Sequence, residues 1–128
     1  MVTALIGKDQ YKTEVITSSH YLIADEPAEK KGTNLGPGPQ EFLSVALASC
    51  TAITLRMYAD RKKWSIDQIK VNVVSEVSKE KTIFKREISF DGTLDETQRA
   101  RLLQIADACP VHEILTNPIE IITELTTN

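Results

Sequence analysis

Cysteine is scarce in this chain, with two among 128 residues. Two are too few for a disulfide scaffold, and in a reducing compartment they are left as core thiols, metal ligands or redox groups. Glycine and proline are also sparse, five of each, which sets aside collagen-like and disordered classes. The few glycines form no GxGxxG and no phosphate loop, so no nucleotide is expected, and no other cofactor is called for. Neither sign of charge forms a block: 15 Lys and Arg stand against 18 Asp and Glu, a formal charge of −3, which argues against a nucleic-acid partner. The first residues, MVTALIGKDQYK, lack a basic segment followed by an apolar core, so no secretory signal is read and the cytoplasm is the default. What remains is 41% hydrophobic and 26% charged, ordinary usage for one compact domain spanning 1–128.

The first 25 residues read as an antiparallel meander: Thr3 and Leu5, a polar turn at 7–10, then 11–17 and 20–24. The stretch 25–39 holds three of the five prolines and three of the five glycines and reads as a loop. Pro39 suits a first helical position, and a helix is expected from there to about Arg61. Within it lie 14 consecutive uncharged residues, FLSVALASCTAITL, a length that fits a buried helix better than a membrane span, so no membrane partner is expected. That helix is apolar nearly all round and about 35 Å long, so one small sheet cannot cover it and a homodimer is inferred. Residues 69–77 and 84–90 alternate as a second hairpin. Asp95 can cap a helix carrying Leu102, Ile105, Ala106 and Cys109, Pro110 stops it, and VHEIL makes a short further helix. Residues 119–125 alternate as a last strand. The order βββ-α-ββ-α-α-β gives an α+β domain with largely antiparallel sheets.

Two readings of the cysteines stay open on physical grounds. Cys50 shares a helical face with Leu43, Ala46, Leu47, Ile53, Thr54 and Met57, which suits a small buried hydrophobe. Cys109, just before Pro110, falls at an N-cap where free N–H groups favour a thiolate. His112, three residues on, could supply a charge or, with both cysteines, a third metal ligand.

The segments GPGPQEFLSVALASCTAITLRMYADRKKW and LDETQRARLLQIADACPVHEIL, with YLIADEP before them, resemble the OsmC/Ohr family of osmotically inducible and organic hydroperoxide resistance proteins, in its OsmC-like branch. The resemblance implies an intertwined homodimer, with sheets from both chains wrapped around two central helices. It also implies a thiol peroxidase that takes organic hydroperoxides as substrate and an external dithiol as reductant. By the same resemblance Cys50 is the peroxidatic residue and Cys109 the resolving one, joined by a disulfide in the oxidised state. This reverses the reactivity drawn from the N-cap.

The best-known branches polarise the thiolate with an early-strand arginine and a glutamate ten residues before the first cysteine. Here no arginine precedes Arg56, and the glutamate position holds Gln40, with Glu41 next to it. Helix geometry puts Glu41 about 13–14 Å along the axis from Cys50 and half a turn away, so any site it serves contains the partner's thiol. Arg86 falls in phase with Phe84, Ile88 and Phe90 on the inward face of the hairpin, where a charge needs a partner. It either snorkels to the sheet edge or substitutes for the missing arginine. Arg56 faces outward or across the dimer, and His20 reads as a plain surface histidine. Besides the peroxidase, two readings compete: a non-catalytic dimer of the same fold that binds a small apolar ligand near the thiols, and a Cys/His metal site.

Overall fold

A computed structural model describes residues 1–127. They group into two compact units, 1–45 and a second that begins at Ala46. In the first unit β1 (Thr3–Leu5), β2 (Thr13–Ile16) and β3 (Tyr21–Ala24) form an antiparallel sheet in the order β1-β2-β3, with Ala4 opposite Val15 and Val15 opposite Leu22. This is the expected meander. The loop after it contains one 3-10 turn, Ala28–Lys30, and is organised by Asp25. The Asp25 carboxylate accepts from the backbone N–H groups of Tyr11, Glu26, Thr33 and Leu35 and from the Thr33 hydroxyl. Gly36 is required by close approach, because a Cβ there would stand 2.1 Å from the Ile23 carbonyl oxygen.

The long helix α1 (Pro39–Lys62) begins in the first unit and runs through the second. Pro39 occupies the first helical position, and Glu41 reaches back so that its Oε1 accepts from Gly38 N at 3.2 Å. A carboxylate at that place satisfies an orphan donor and sits well with the helix dipole. By length and composition α1 could cross a membrane, yet Leu47, Thr51, Leu55, Tyr58 and Ala59 are buried in the protein.

In the second unit β4 (Ile66–Val77) and β5 (Thr82–Gly92) pair antiparallel. Ile69, Val71, Val73 and Ser75 stand opposite Phe90, Ile88, Arg86 and Phe84, and these eight share the half-buried face, as the alternation predicts. The hairpin is longer than expected at both ends. Its open end carries a register irregularity between Ile66 and Gln68, where Gly92 adopts φ +142° against Ser65 and Ile66. The helix α2 (Glu96–Ala106) starts with a capping box: Asp95 accepts from Gln98 N at 2.7 Å, and the Gln98 side chain accepts from Asp95 N at 2.9 Å. A two-residue link and Cys109 then lead into α3 (Pro110–Thr116).

The core of this unit is built from Leu55, Tyr58, Ala59, Ile66, Leu102 and Ala106, with Trp64, Ile69, Ile88 and Phe90 packed around them. Leu55 and Leu102 are fully buried, and truncating either to alanine is expected to cost about 2–5 kcal/mol.

The last strand does not form: residues 119–127 have no regular structure, and Ile119, Ile121, Ile122 and Leu125 are exposed. An alternating pattern fixes which side chains share a face, but a strand also needs a neighbouring edge to bond to. Among the described residues no strand pairs with this segment.

Candidate functional site

Three elements of the second unit converge on the thiols. α1 carries Cys50 and Thr51 in successive positions, the α2–α3 junction carries Cys109, and the inward face of β5 carries Arg86. Cys109 is fully buried and Cys50 half-buried, and both are free thiols. They are neighbours whose ionisation is linked.

The two sulfurs differ in what surrounds them. Burial pushes the Cys50 thiol up, and its hydrogen bond to Cys109 pushes it further, against smaller help from the Val111 N–H and the Thr54 hydroxyl. Burial also works against a Cys109 thiolate. It is outweighed by the polar groups nearby, the Cys50 thiol first and then the His112 N–H, the Thr51 hydroxyl and the Val111 N–H, and the Cys109 thiol is held below its ordinary value, although its side chain closes no cap hydrogen bond on α3. Of the two thiols, Cys109 is shifted toward the more acidic side and Cys50 toward the less acidic. This order of acidity agrees with the N-cap reading of Cys109.

Arg86 does not snorkel. Its side chain is 12% exposed and makes three contacts: Nη1 donates to Thr51 Oγ1 at 3.0 Å, and Nη2 donates to Asp107 Oδ1 at 2.9 Å and faces His112 Nδ1 at 3.2 Å. A guanidinium only donates, so His112 Nδ1 is the acceptor in this contact and any ring proton of the neutral form sits on Nε2. Asp107 is largely open to solvent, which screens its ion pair with Arg86.

The other residues singled out in the sequence divide clearly. His112 belongs to the cluster through Arg86. Glu41 lies in the first unit and is bonded to Gly38, and Gln40 is exposed beside it. Arg56 is used within its own chain, with Nη1 donating to the Ile66 carbonyl at 2.9 Å and 3.5 Å from Asp60 Oδ1. His20 is exposed, with Nδ1 3.0 Å from Ser19 Oγ. Among the described residues no group of three or more His, Cys, Asp or Glu is arranged to hold a metal ion.

Two members of the cluster escaped the sequence reading. Thr51 is a fully buried polar residue within an apolar run, and its hydroxyl donates to the Leu47 carbonyl at 2.7 Å. Asp107 is a carboxylate at the C-terminal end of α2, where the helix dipole opposes it. Each is placed against local preference, and that is the signal that could have found them.

An α+β chain with antiparallel sheets, a long apolar helix and two adjoining thiols is the class defined by this geometry. The chain belongs to the OsmC-like protein family, whose pattern matches residues 32–124. Its fold is shared by an OsmC-like protein from Mycoplasma pneumoniae, at 22% identity over 90% of this chain and 85% of that one, with a TM-score of 0.78. It is also shared by an organic hydroperoxide resistance protein OsmC from Legionella pneumophila, at 20% identity, 91% and 88% coverage and a TM-score of 0.60. A third similar structure is an organic hydroperoxide resistance protein from Elizabethkingia anophelis with thiocyanate bound, at 14% identity, 93% and 89% coverage and a TM-score of 0.65. No match was found among curated protein sequences.

Proposed function

We propose that this protein reduces organic hydroperoxides with its two thiols, working as a cytoplasmic homodimer whose disulfide is reopened by an external dithiol. The observation that carries the reading is the neighbouring pair of free thiols, Cys50 and Cys109, in a chain of the OsmC-like family. The names of similar folds, organic hydroperoxide resistance proteins among them, support the choice of substrate.

Cys50 is the more accessible sulfur and attacks the terminal peroxide oxygen. The O–O bond breaks, the alcohol leaves, and Cys50 remains as a sulfenic acid. Cys109 then attacks the Cys50 sulfur and displaces hydroxide, which leaves as water once protonated. One hydroperoxide and two thiols thus become one alcohol, one water and one disulfide.

The homodimer is supported by apolar surface that the single chain leaves bare. Ile53 and Met57 of α1 are exposed and line an open concavity of about 460 Å³ with Ala52, Arg56, Asp67, Gln68 and Ile69. The exposed isoleucines of 119–125 add to it, and a second copy would cover both. The test is a single turnover: reduced protein mixed with one equivalent of an organic hydroperoxide should yield one equivalent of alcohol and the intact mass of a disulfide. Unchanged thiols and unconsumed hydroperoxide would overturn the reading. Light scattering should give the mass of two chains, and a folded monomer independent of concentration would remove the dimer.

A further inference from the structure

The C-terminal end of α1 carries an uneven charge. In a chain of net charge −3, the run RMYADRKK holds Arg56, Arg61, Lys62 and Lys63 against Asp60 alone, and Arg56 already lies 3.5 Å from Asp60. Three cations surround the Tyr58 ring: the Arg61 guanidinium carbon stands 5.3 Å from its centroid, Lys62 Nζ 5.7 Å and the Arg101 guanidinium carbon 5.7 Å. Among the described residues none of the three is ion-paired. The helix dipole favours Arg61 and Lys62 in the last turn of α1, but it does not account for Arg101, which comes from the middle of α2. Arg101 Nε donates to Tyr58 Oη at 3.0 Å and Nη1 to Gln104 Oε1 at 3.0 Å, which leaves Nη2 unused. Tyr58 is 7% exposed, and its oxygen accepts from Arg101 while its own O–H proton has no recorded acceptor among the described residues. The Arg101 bond, helped by the charges of Arg101, Lys62 and Arg61, holds the phenol below its ordinary value against the effect of burial, so the O–H is a strengthened donor.

We propose that Arg61, Lys62, Arg101 and the Tyr58 hydroxyl form a binding site for a phosphate group. A carboxylate brings one charge and two oxygens. A phosphate brings nearly two charges and at least three free oxygens, which matches three cations and a phenolic donor more closely. The free Nη2 of Arg101 and the Tyr58 O–H take two of those oxygens, and Arg61 and Lys62, exposed on their long stems, close over the others. The partial negative charge of the α1 end opposes an anion here, and three full positive charges outweigh it. Inorganic phosphate and a phosphate ester present the same chemistry to these side chains. Arg61 lies eleven positions beyond Cys50 on α1, about 16 Å along the helix axis, so the site is separate from the thiols and does not rest on their reaction. Trp64, the sole tryptophan, meets the Tyr58 ring edge-on at 5.5 Å, and its fluorescence reports on changes at that ring.

The experiment titrates the full-length reduced protein with inorganic phosphate at constant ionic strength, made up with sodium chloride, and follows both Trp64 emission and the heat of binding. Saturable binding of one phosphate per chain is expected. A response that chloride reproduces would reduce the effect to screening and overturn the proposal, as would the absence of both signals. Arg101→Gln should weaken binding about tenfold or more, and Tyr58→Phe, which keeps the ring and removes the hydroxyl, by about fivefold. Lys79→Gln, in the turn between β4 and β5, should leave it unchanged. Equal losses in Lys79→Gln and Arg101→Gln would mean attraction to general surface charge and overturn the site. Binding undiminished in both Arg101→Gln and Tyr58→Phe would do the same, because the phosphate would then lie elsewhere. Should Tyr58→Phe fail to fold, Arg101→Gln, at an exposed position, still decides. Repeating the titration with glycerol phosphate separates the two sources: tighter binding than inorganic phosphate assigns the site to a phosphorylated molecule, and equal or weaker binding assigns it to the free ion.

Discussion

Asp25 in the first unit and Cys109 in the second are both withdrawn from solvent, at 2% and 0% exposure, and both are ringed by hydrogen-bond donors. Asp25 collects four backbone N–H groups and one hydroxyl, from Tyr11 ahead of β2 and from Glu26, Thr33 and Leu35 in the loop after β3. Its bonds outweigh the cost of burial, and the carboxyl stays ionised far below the ordinary range. Cys109 has two backbone N–H groups nearby and two groups whose protons can move, the Thr51 hydroxyl and the Cys50 thiol. A buried anion with rigid donors is a structural hub. One whose donors carry mobile protons can change state without the fold changing, and that is what thiol chemistry requires.

The largest expected effects break the second region. Cys50→Ser should reduce hydroperoxide consumption to the uncatalysed rate, because a hydroxyl presents almost no anion at neutral pH. Cys109→Ser should react once and more slowly, stop at a Cys50 sulfenic acid that a dimedone-type probe traps, and then over-oxidise. Recovery of the sulfenate on Cys109 in the Cys50→Ser protein would show that the two roles are reversed. Neither substitution should disturb the Asp25 loop, which hydrogen exchange at the Glu26, Thr33 and Leu35 amides would report.

Next comes the first region. A carboxyl lowered on folding contributes stability that is present above its unfolded value and lost as pH falls through its folded value. The parent should therefore lose protection at those amides only in strong acid. Asp25→Asn should lose it at neutral pH and show little further dependence on acid, because its side chain has fewer acceptor sites and no charge. Gly36→Ala should loosen the same loop, since the new Cβ would meet the Ile23 carbonyl and the backbone would have to move. Both substitutions should leave an ultraviolet thiolate titration of the reduced protein unchanged. A shift in that titration would show that the two regions are coupled.

Legibility from sequence followed the range of the interactions. The meander, the Pro39 helix, the Asp95 cap and the inward phase of Arg86 depend on spacing within one element, and spacing is what a sequence displays. The Asp25 hub was not read, since it depends on five donors folding around one carboxylate within a loop that has no periodicity. Thr51 and Asp107 were missed for a related reason: their roles arise only when α1, β5 and the end of α2 meet at Arg86. The strand expected at 119–125 shows the converse, a local alternation that no strand among the described residues pairs with.

The smallest effect concerns Glu41, which satisfies a helix end as Asp25 satisfies a loop, but at the surface. Glu41→Gln keeps an oxygen that can accept from Gly38 N and removes only the charge from the first turn of α1. The cost in stability should be about 0.3–1 kcal/mol, falling as salt is raised, because that is the range of a single carboxylate with a helix dipole. Urea unfolding at low and high salt measures it. The thiolate titration should stay where it is in the parent if Glu41 serves only its own helix end. A titration that moves in Glu41→Gln, in protein that light scattering shows to be dimeric, would mean that this carboxylate faces the partner's thiol. The comparison would then need a third kind of anion site, shared between chains.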